Sequence, residues 1–593
     1  MAPRTSNDRR TVNQSRPLSV ILKRTLILGL WSLPAICALY VMWTHWVPVP
    51  YWDEWNTPGA QLASYYRGTL GFAELFSQHN ESRKLFPRLL YLPISIAAGW
   101  DVRHYMVLTF ALACGGSAGI YQIVRQTSRF SPWAPFVFAA MNFLLFSPRQ
   151  YENFLYGIQG EPFTPAFALT FAILMNLSDR SLKSKTLVNA ALAFLSTYTF
   201  ANGMLVWLLA FPLETAADLR VRDARARIFW RVVYILMATA SIASYFISYR
   251  HPPITPPVVS PFAQPAAFLR FVLVWIGSLF SVGAPAICGA VAFSLFGGLA
   301  AAAIWQMRRT GAWRSHYPWL VLGSYTVISG CVTAMGRLGF DYSMAGDVRY
   351  TAFSAFLYIA VLGLGFSVYT QAKARPLTAR IALSAAVVSL VVIFAFWAIT
   401  FKKERRLLRI LTPAREHSLL VLRWSEAIPQ NPEIGLLSPY PLQETVSTIR
   451  TLAENDALRP RLVSPKLARA INERPNTDDA SAGTLDEARF EATGHLVFQG
   501  WARVPDQDRP ADCVVLGFET SDGEWKPFCV VETGGKRPDV ARRLGSGALA
   551  RAGFSGRVDA TSLPRDVTLK AWAIDLQDER VFPLAGAVRF PQP

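Results

Sequence analysis

From residue 26 to residue 400 the chain repeats one pattern, a long apolar run followed by a short polar segment that is usually basic. Eleven such runs read as helices crossing a bilayer: 26–47, 104–124, 132–146, 163–177, 185–200, 203–217, 230–249, 284–306, 317–335, 351–369 and 381–400. A spanning helix needs about 20 apolar residues, and several of these runs are shorter, so their ends are drawn to within several residues. Two further apolar stretches do not fit as spans. The run 85–98 is short and carries Pro87 and Pro93, and 266–282 follows the proline-rich segment 251–265. Threading either across would put a basic cluster on the wrong side. Both read as helices lying in, or re-entering from, the outer interface. Irregular backbone at that depth must be covered by protein or line a water-filled cavity, so the pair implies a cavity on the outer side.

After residue 400 the pattern changes. Residues 401–462 read as helical, with an amphipathic run near 442–458, and a polar linker follows at 476–483. From 485 to 592, short alternating runs (495–502, 513–519, 528–532, 568–574) are separated by turn signals such as Ser521-Asp522-Gly523. That spacing predicts a small all-β sandwich. The expected organisation is a tail 1–25, a transmembrane domain 26–400 with a large outer loop 48–103, a helical connector 401–484 and a β-sandwich 485–593.

Composition supports this division. The 593 residues are 52% hydrophobic and 17% charged, against about 25% charged in soluble proteins, which excludes a fully soluble enzyme. With 59 Lys+Arg and 40 Asp+Glu the net charge is +19. The basic residues cluster between apolar runs, at Arg180/Lys183/Lys185, Arg220/Arg222/Arg225/Arg227/Arg231, Arg308/Arg309/Arg314 and Lys373/Arg375/Arg380. This is the positive-inside pattern. It makes membrane lipids the partners of this charge, not nucleic acid, with the N-terminus cytoplasmic and everything after residue 401 outside. Cys513 and Cys529 fall in neighbouring predicted strands, where an oxidising compartment would permit a disulfide.

The candidate chemistry lies on the outer side. The first loop opens with Tyr51-Trp52-Asp53-Glu54-Trp55, which reads either as an interfacial aromatic belt with solvated acids or as a general base at the rim of a cavity. The same loop carries Gln78-His79-Asn80-Glu81-Ser82-Arg83-Lys84 and then Arg88. His79 and Glu81 are the residues that would ligate a divalent metal, since imidazole plus carboxylate suits zinc or manganese. Arg83, Lys84 and Arg88 would hold phosphate, for which the planar guanidinium of arginine is best suited. A further outer loop runs from Gly336-Arg337 to Asp347-Val348-Arg349-Tyr350. Its arginines either pair with Asp341 and Asp347 or clamp a phosphate. Charged groups near membrane depth are costly and usually functional.

These motifs together resemble the GT-C superfamily of polyprenyl-phosphate-sugar-dependent glycosyltransferases. The resemblance rests on Asp53-Glu54-Trp55, His79 to Arg83 with Pro87-Arg88-Leu89-Leu90, Tyr151-Glu152-Asn153 through Gln159, and Gly336-Arg337 through Arg349-Tyr350. It covers residues 20–400 and is nearest a bacterial, poorly characterised group. The tail is similar to β-sandwich modules of glycan-related bacterial proteins. The resemblance implies an inverting transferase of the bacterial inner membrane with its C-terminal domain periplasmic. Asp53, or Glu54 in its place, would be the base, and Arg83, Arg88, Arg337, Arg349 and Tyr350 would bind the lipid-linked phosphate. It implies a polyprenyl-phosphate-linked sugar donor, a glycan, lipid or protein acceptor, and no cofactor beyond a divalent metal at His79 and Glu81. Two alternatives stay open, a transporter or flippase of lipid-linked sugars and a non-catalytic glycan-binding scaffold.

Overall fold

Within lipid every peptide N–H and C=O has to be bonded inside the protein, so uncharged apolar runs resolve into helices. The computed structural model describes residues 16–589 except 129–130, 132, 215–223, 254, 281–282, 341, 372–375, 430, 474–479, 492, 521–522, 524, 562 and 565–566. Arg220, Arg222, Asp341, Lys373, Arg375, most of the tail 1–25 and half of the expected linker 476–483 therefore lie outside the described residues. Among the described residues six helices are long and apolar enough to cross a membrane: Ile21–His45, Arg103–Thr127, Ala224–Tyr245, Pro285–Thr310, Trp313–Arg337 and Val348–Gln371.

The chain divides into two units, the first made of residues 1–45, 80–83 and 106–406, the second of 46–79, 84–105 and 407–593. In the first unit the helix Thr351–Gln371 is the centre, with Phe353, Phe356, Leu357, Ile359 and Leu364 all buried. The helices Ile21–His45, Ala224–Tyr245 and Pro285–Thr310 bury only 11%, 17% and 22% of their apolar windows, against 72% for the central one. Side chains such as Ile36, Leu236 and Ile287 face outward. Apolar surface on that scale suits a lipid environment.

Three expected spans are present as shorter helices, Ala134–Leu145, Gly160–Leu177 and Leu182–Thr197, of 12, 18 and 16 residues. At 1.5 Å per residue the first covers about 18 Å of a hydrocarbon core about 30 Å thick. It is buried continuously from Val137 to Leu145, which explains why it is apolar on every side. The expected span 203–217 has a different form. A 3-10 turn, Ala201–Met204, runs into the five-residue helix Leu205–Leu209, and the chain is then irregular to residue 214. Gly203 is needed there because the Ser196 backbone occupies the place of a Cβ. The run 381–400 lies within a 49-residue helix, Pro376–Trp424. The two stretches expected not to span are helices of 14 and 13 residues, Leu85–Ala98 and Pro265–Gly277.

Strand β1 (Gln78–His79) belongs to the second unit and β2 (Ser82–Arg83) to the first. In the second unit, the outer loop folds onto the connector. Trp52 N donates to Leu437 O (3.0 Å), and Arg67 donates to Ser447 and Thr451 of the helix Leu442–Glu454. Leu85–Ala98 buries Arg88, Tyr91, Leu92 and Ser95 and leaves Leu89, Leu90 and Ile96 exposed.

The C-terminal region is two antiparallel sheets. One joins β3 (Gly483–Phe490), β4 (His495–Val504) and β5 (Arg509–Pro510), with β8 (Gly553–Asp559) also on β4. The other has the order β10-β9-β6-β7, from β6 (Cys513–Glu519), β7 (Trp525–Glu532), β9 (Thr568–Asp575) and β10 (Arg580–Pro583), with β11 (Val588–Arg589) on β9. Val514, Leu516, Leu569 and Ala571 meet Leu496 and Phe498 between the sheets. Val515, Trp572 and Ile574 point the other way, onto Trp424, Ile428, Leu467 and Ile471. Burial on both faces keeps β6 and β9 apolar at nearly every position, where the sequence predicts alternation. The disulfide is not formed. Cys513 stands opposite Glu532 and Cys529 opposite Leu516, the two thiols face opposite sides of the sheet, and both are free.

Candidate active site

Immediately beyond the first apolar helix, the segment Trp52–Trp55 forms one 3-10 turn. Its two acids have different surroundings. Glu54 is fully buried and its Oε2 accepts from Tyr51 N (2.7 Å), closing the turn from within. Asp53 keeps 27% of its side chain exposed. Its Oδ1 accepts from the Tyr440 hydroxyl (3.1 Å), and its Oδ2 lies 3.7 Å from His79 Nε2. His79 is buried, with Nδ1 2.7 Å from Asn56 Oδ1. A neutral ring has one N–H, and which nitrogen carries it follows the way the Asn56 amide is turned.

Burial alone would raise the Asp53 carboxyl. The hydrogen bond and charge of His79, the charge of Lys84 and the Tyr440 hydroxyl outweigh it and hold Asp53 well below the usual carboxylate range. Burial lowers His79 to about 4, helped by the charges of Lys84 and Arg88 and opposed by Asp53. At neutral pH the group is therefore an ionised, partly exposed carboxylate braced by a neutral imidazole. Tyr440 in turn is pushed up, by burial first and then by Asp53.

The loop's arginines are bound within the protein. Arg88 is 1% exposed. Its Nη1 donates to the carbonyls of Glu74 (3.0 Å), Leu75 (2.9 Å) and Ser77 (2.6 Å), and its Nη2 and Nε donate to Thr57 Oγ1 (3.0 and 3.3 Å). This geometry makes Arg88 the tie that shapes the loop. In the first unit Arg83 is also buried, donating through Nε to Tyr245 O (2.6 Å) and through Nη2 to Ile247 O. It caps the end of the helix Ala224–Tyr245, whose Tyr245 hydroxyl donates to Glu81 O.

The first unit carries its own polar set. Arg337 ends the helix Trp313–Arg337 and pairs with Glu81 at 2.7 Å. Arg349 donates to Asp347 through Nε (2.9 Å) and Nη2 (2.6 Å), while Asp347 caps the following 3-10 turn. Tyr350 is buried beside Trp275, and Arg149 pairs with Glu404 at 3.1 Å. Arg337 and Arg349 keep 25% and 40% of their side chains exposed, so they remain accessible to an anion.

Among the described residues, no group of three or more His, Cys, Asp or Glu is placed to hold a metal ion. His79 faces Asn56 and Asp53 in the second unit, and in the first unit Glu81 pairs with Arg337. Tyr440 and Asn56 were not legible as site residues. Tyr440 lies in Ser438-Pro439-Tyr440-Pro441, and no local pattern ties it to a loop hundreds of residues earlier. The chain matches no family model, no curated protein and no solved structure.

Proposed function

We propose that this protein is a membrane glycosyltransferase of the GT-C kind, moving a sugar from a polyprenyl-phosphate carrier to a cell-envelope glycan, lipid or protein acceptor. The observation that carries the reading is Asp53, an ionised and partly exposed carboxylate just past the first apolar helix, braced by Tyr440 and His79. In this reading an acceptor hydroxyl gives its proton to Asp53 while its oxygen bonds to the anomeric carbon. The bond from that carbon to the carrier phosphate breaks, and the electron pair leaves with the phosphate. A carboxylate held this low is a weak base at rest. It takes the proton late, as bonding to carbon makes the hydroxyl acidic. Fixed donors would stabilise the growing charge on the departing phosphate. A cytoplasmic N-terminus and a periplasmic C-terminal domain in a bacterial inner membrane complete the proposal.

The test is sugar transfer by Asp53→Asn and Tyr440→Phe variants that insert and fold normally. Loss of the base should cost roughly 10²–10⁴-fold. Loss of one hydrogen bond to a charged acceptor should cost roughly tenfold. Wild-type transfer by Asp53→Asn, with no lipid-linked sugar accumulating in the cells, would sink the assignment.

A further inference from the structure

The two tryptophans of the turn Trp52–Trp55 have opposite surroundings. Trp55 is buried, packs edge-on against Trp100 with ring centres 5.2 Å apart, and donates its Nε1–H to Pro50 O (3.1 Å). Trp52 is 48% exposed. Its backbone has a φ of +49°, a left-handed conformation that glycine or asparagine takes readily and a bulky side chain rarely does. Packing does little to offset that strain, because about half of the residue stands open.

Trp52 is nevertheless fixed in place. Its N–H donates to Leu437 O (3.0 Å), and three residues further on the Tyr440 hydroxyl donates to Asp53 Oδ1 (3.1 Å). One segment of the second unit thus fastens both the exposed tryptophan and the partly exposed carboxylate that follows it. The Tyr51 ring flanks Trp52 at 5.9 Å, and Arg415 stands 4.9 Å from the centre of the Tyr51 ring.

The face of an aromatic ring is electron-rich and attracts polarised C–H bonds. A pyranose presents such bonds on a flat face and carries hydroxyls around its edge. Stacking therefore orients a sugar while leaving its rim hydroxyls free to react. Consecutive Cα atoms are about 3.8 Å apart, less than the width of a sugar ring, so one ring can engage Trp52 and Asp53 together.

We propose that Trp52 is the stacking platform for a sugar ring of the acceptor, so that the acceptor is a carbohydrate with one hydroxyl directed at Asp53. The inference rests on the transferase reading of Asp53 and narrows its acceptor class. A tryptophan that only marks the membrane boundary needs the right depth, not a strained turn fixed beside a carboxylate.

The experiment is saturation-transfer-difference NMR on the purified full chain in detergent. The probes are the methyl pyranosides of glucose, galactose, mannose and N-acetylglucosamine. They carry free hydroxyls and no phosphate, so they report the acceptor's seat and not the donor's. The wild type should transfer saturation to the ring C–H protons of at least one probe. Trp52→Asn suits the left-handed backbone and should keep the thermal midpoint, but it should bind that probe roughly tenfold more weakly. Trp52→Phe, which keeps an aromatic face, should fall between the two, and Trp52→Gly is the second variant should Trp52→Asn misfold. No transfer to any probe by the wild type, or wild-type affinity in Trp52→Asn, overturns the proposal. It is equally overturned if glucose 1-phosphate binds through Trp52 and methyl glucoside does not. Asp53→Asn separates the inference from the reading beneath it, since this variant should lose sugar transfer and still bind the probe. Sugar transfer retained in Asp53→Asn removes the base, whereas probe binding independent of Trp52 beside an inactive Asp53→Asn removes only the platform.

Discussion

Acidification should weaken the second unit through a single imidazole. His79 is 4% exposed, faces the charges of Lys84 and Arg88, and is lowered to about 4 from an ordinary value of 6.5. Between those two pH values the unfolded chain binds a proton that the folded chain refuses, so stability falls as pH falls across that window. The full interval corresponds to about 3 kcal/mol, a large share of the 5–15 kcal/mol that holds a typical domain. Asp53 does not contribute there. Its folded value is depressed, so its stabilisation is complete above the ordinary carboxylate range near 4 and is lost only at lower pH. The assay is a thermal scan in detergent at stepped pH, paired with limited proteolysis of the loop around residues 67–84. The wild type should lose stability from about pH 6.5 down to about pH 4. His79→Gln keeps a hydrogen-bonding side chain without the titration, and should be less stable at neutral pH but flatter across the window. Parallel losses in the two proteins, or a flat wild-type profile, would refute the reasoning.

Two further outcomes follow from buried groups. Arg88→Met should destabilise the second unit by roughly 1–3 kcal/mol for each buried acceptor left unmet, since the Glu74, Leu75 and Ser77 carbonyls lose their donor. Arg88→Lys should not restore the thermal midpoint, since an ammonium cannot reproduce the planar fork. His417 lies 3.2 Å from Glu433 and 2.9 Å from Glu532. Burial would lower it, but the two carboxylates raise it to about 10. Its contribution is therefore complete below about pH 6.5 and lost as pH rises toward 10, and Glu532→Gln should flatten the alkaline limb of a stability profile.

The apolar runs were enough to determine a helical membrane region, because a long uncharged segment has one way to satisfy its backbone in lipid. Proline content and length were enough to set Leu85–Ala98 and Pro265–Gly277 apart from the spans. The turn-punctuated runs after residue 485 were enough to predict two packed sheets, since strand length and alternation are local properties. The fate of each charged side chain was not local. Asp53 and Glu54 are adjacent and chemically alike, yet one is braced at a partly exposed rim and the other closes its own turn inside the protein. Arg83 and Arg88 look like phosphate ligands in the sequence, but they spend their donors on backbone carbonyls that only the folded loop and helix ends present. The run 203–217 is apolar enough to suggest a span, but packing breaks it into a turn and a short helix. Tyr440 reaches Asp53 across 387 residues of chain. Composition and period decide what kind of element a segment becomes. Which donors meet which acceptors depends on the packing of distant segments, and that was settled only by the tertiary structure.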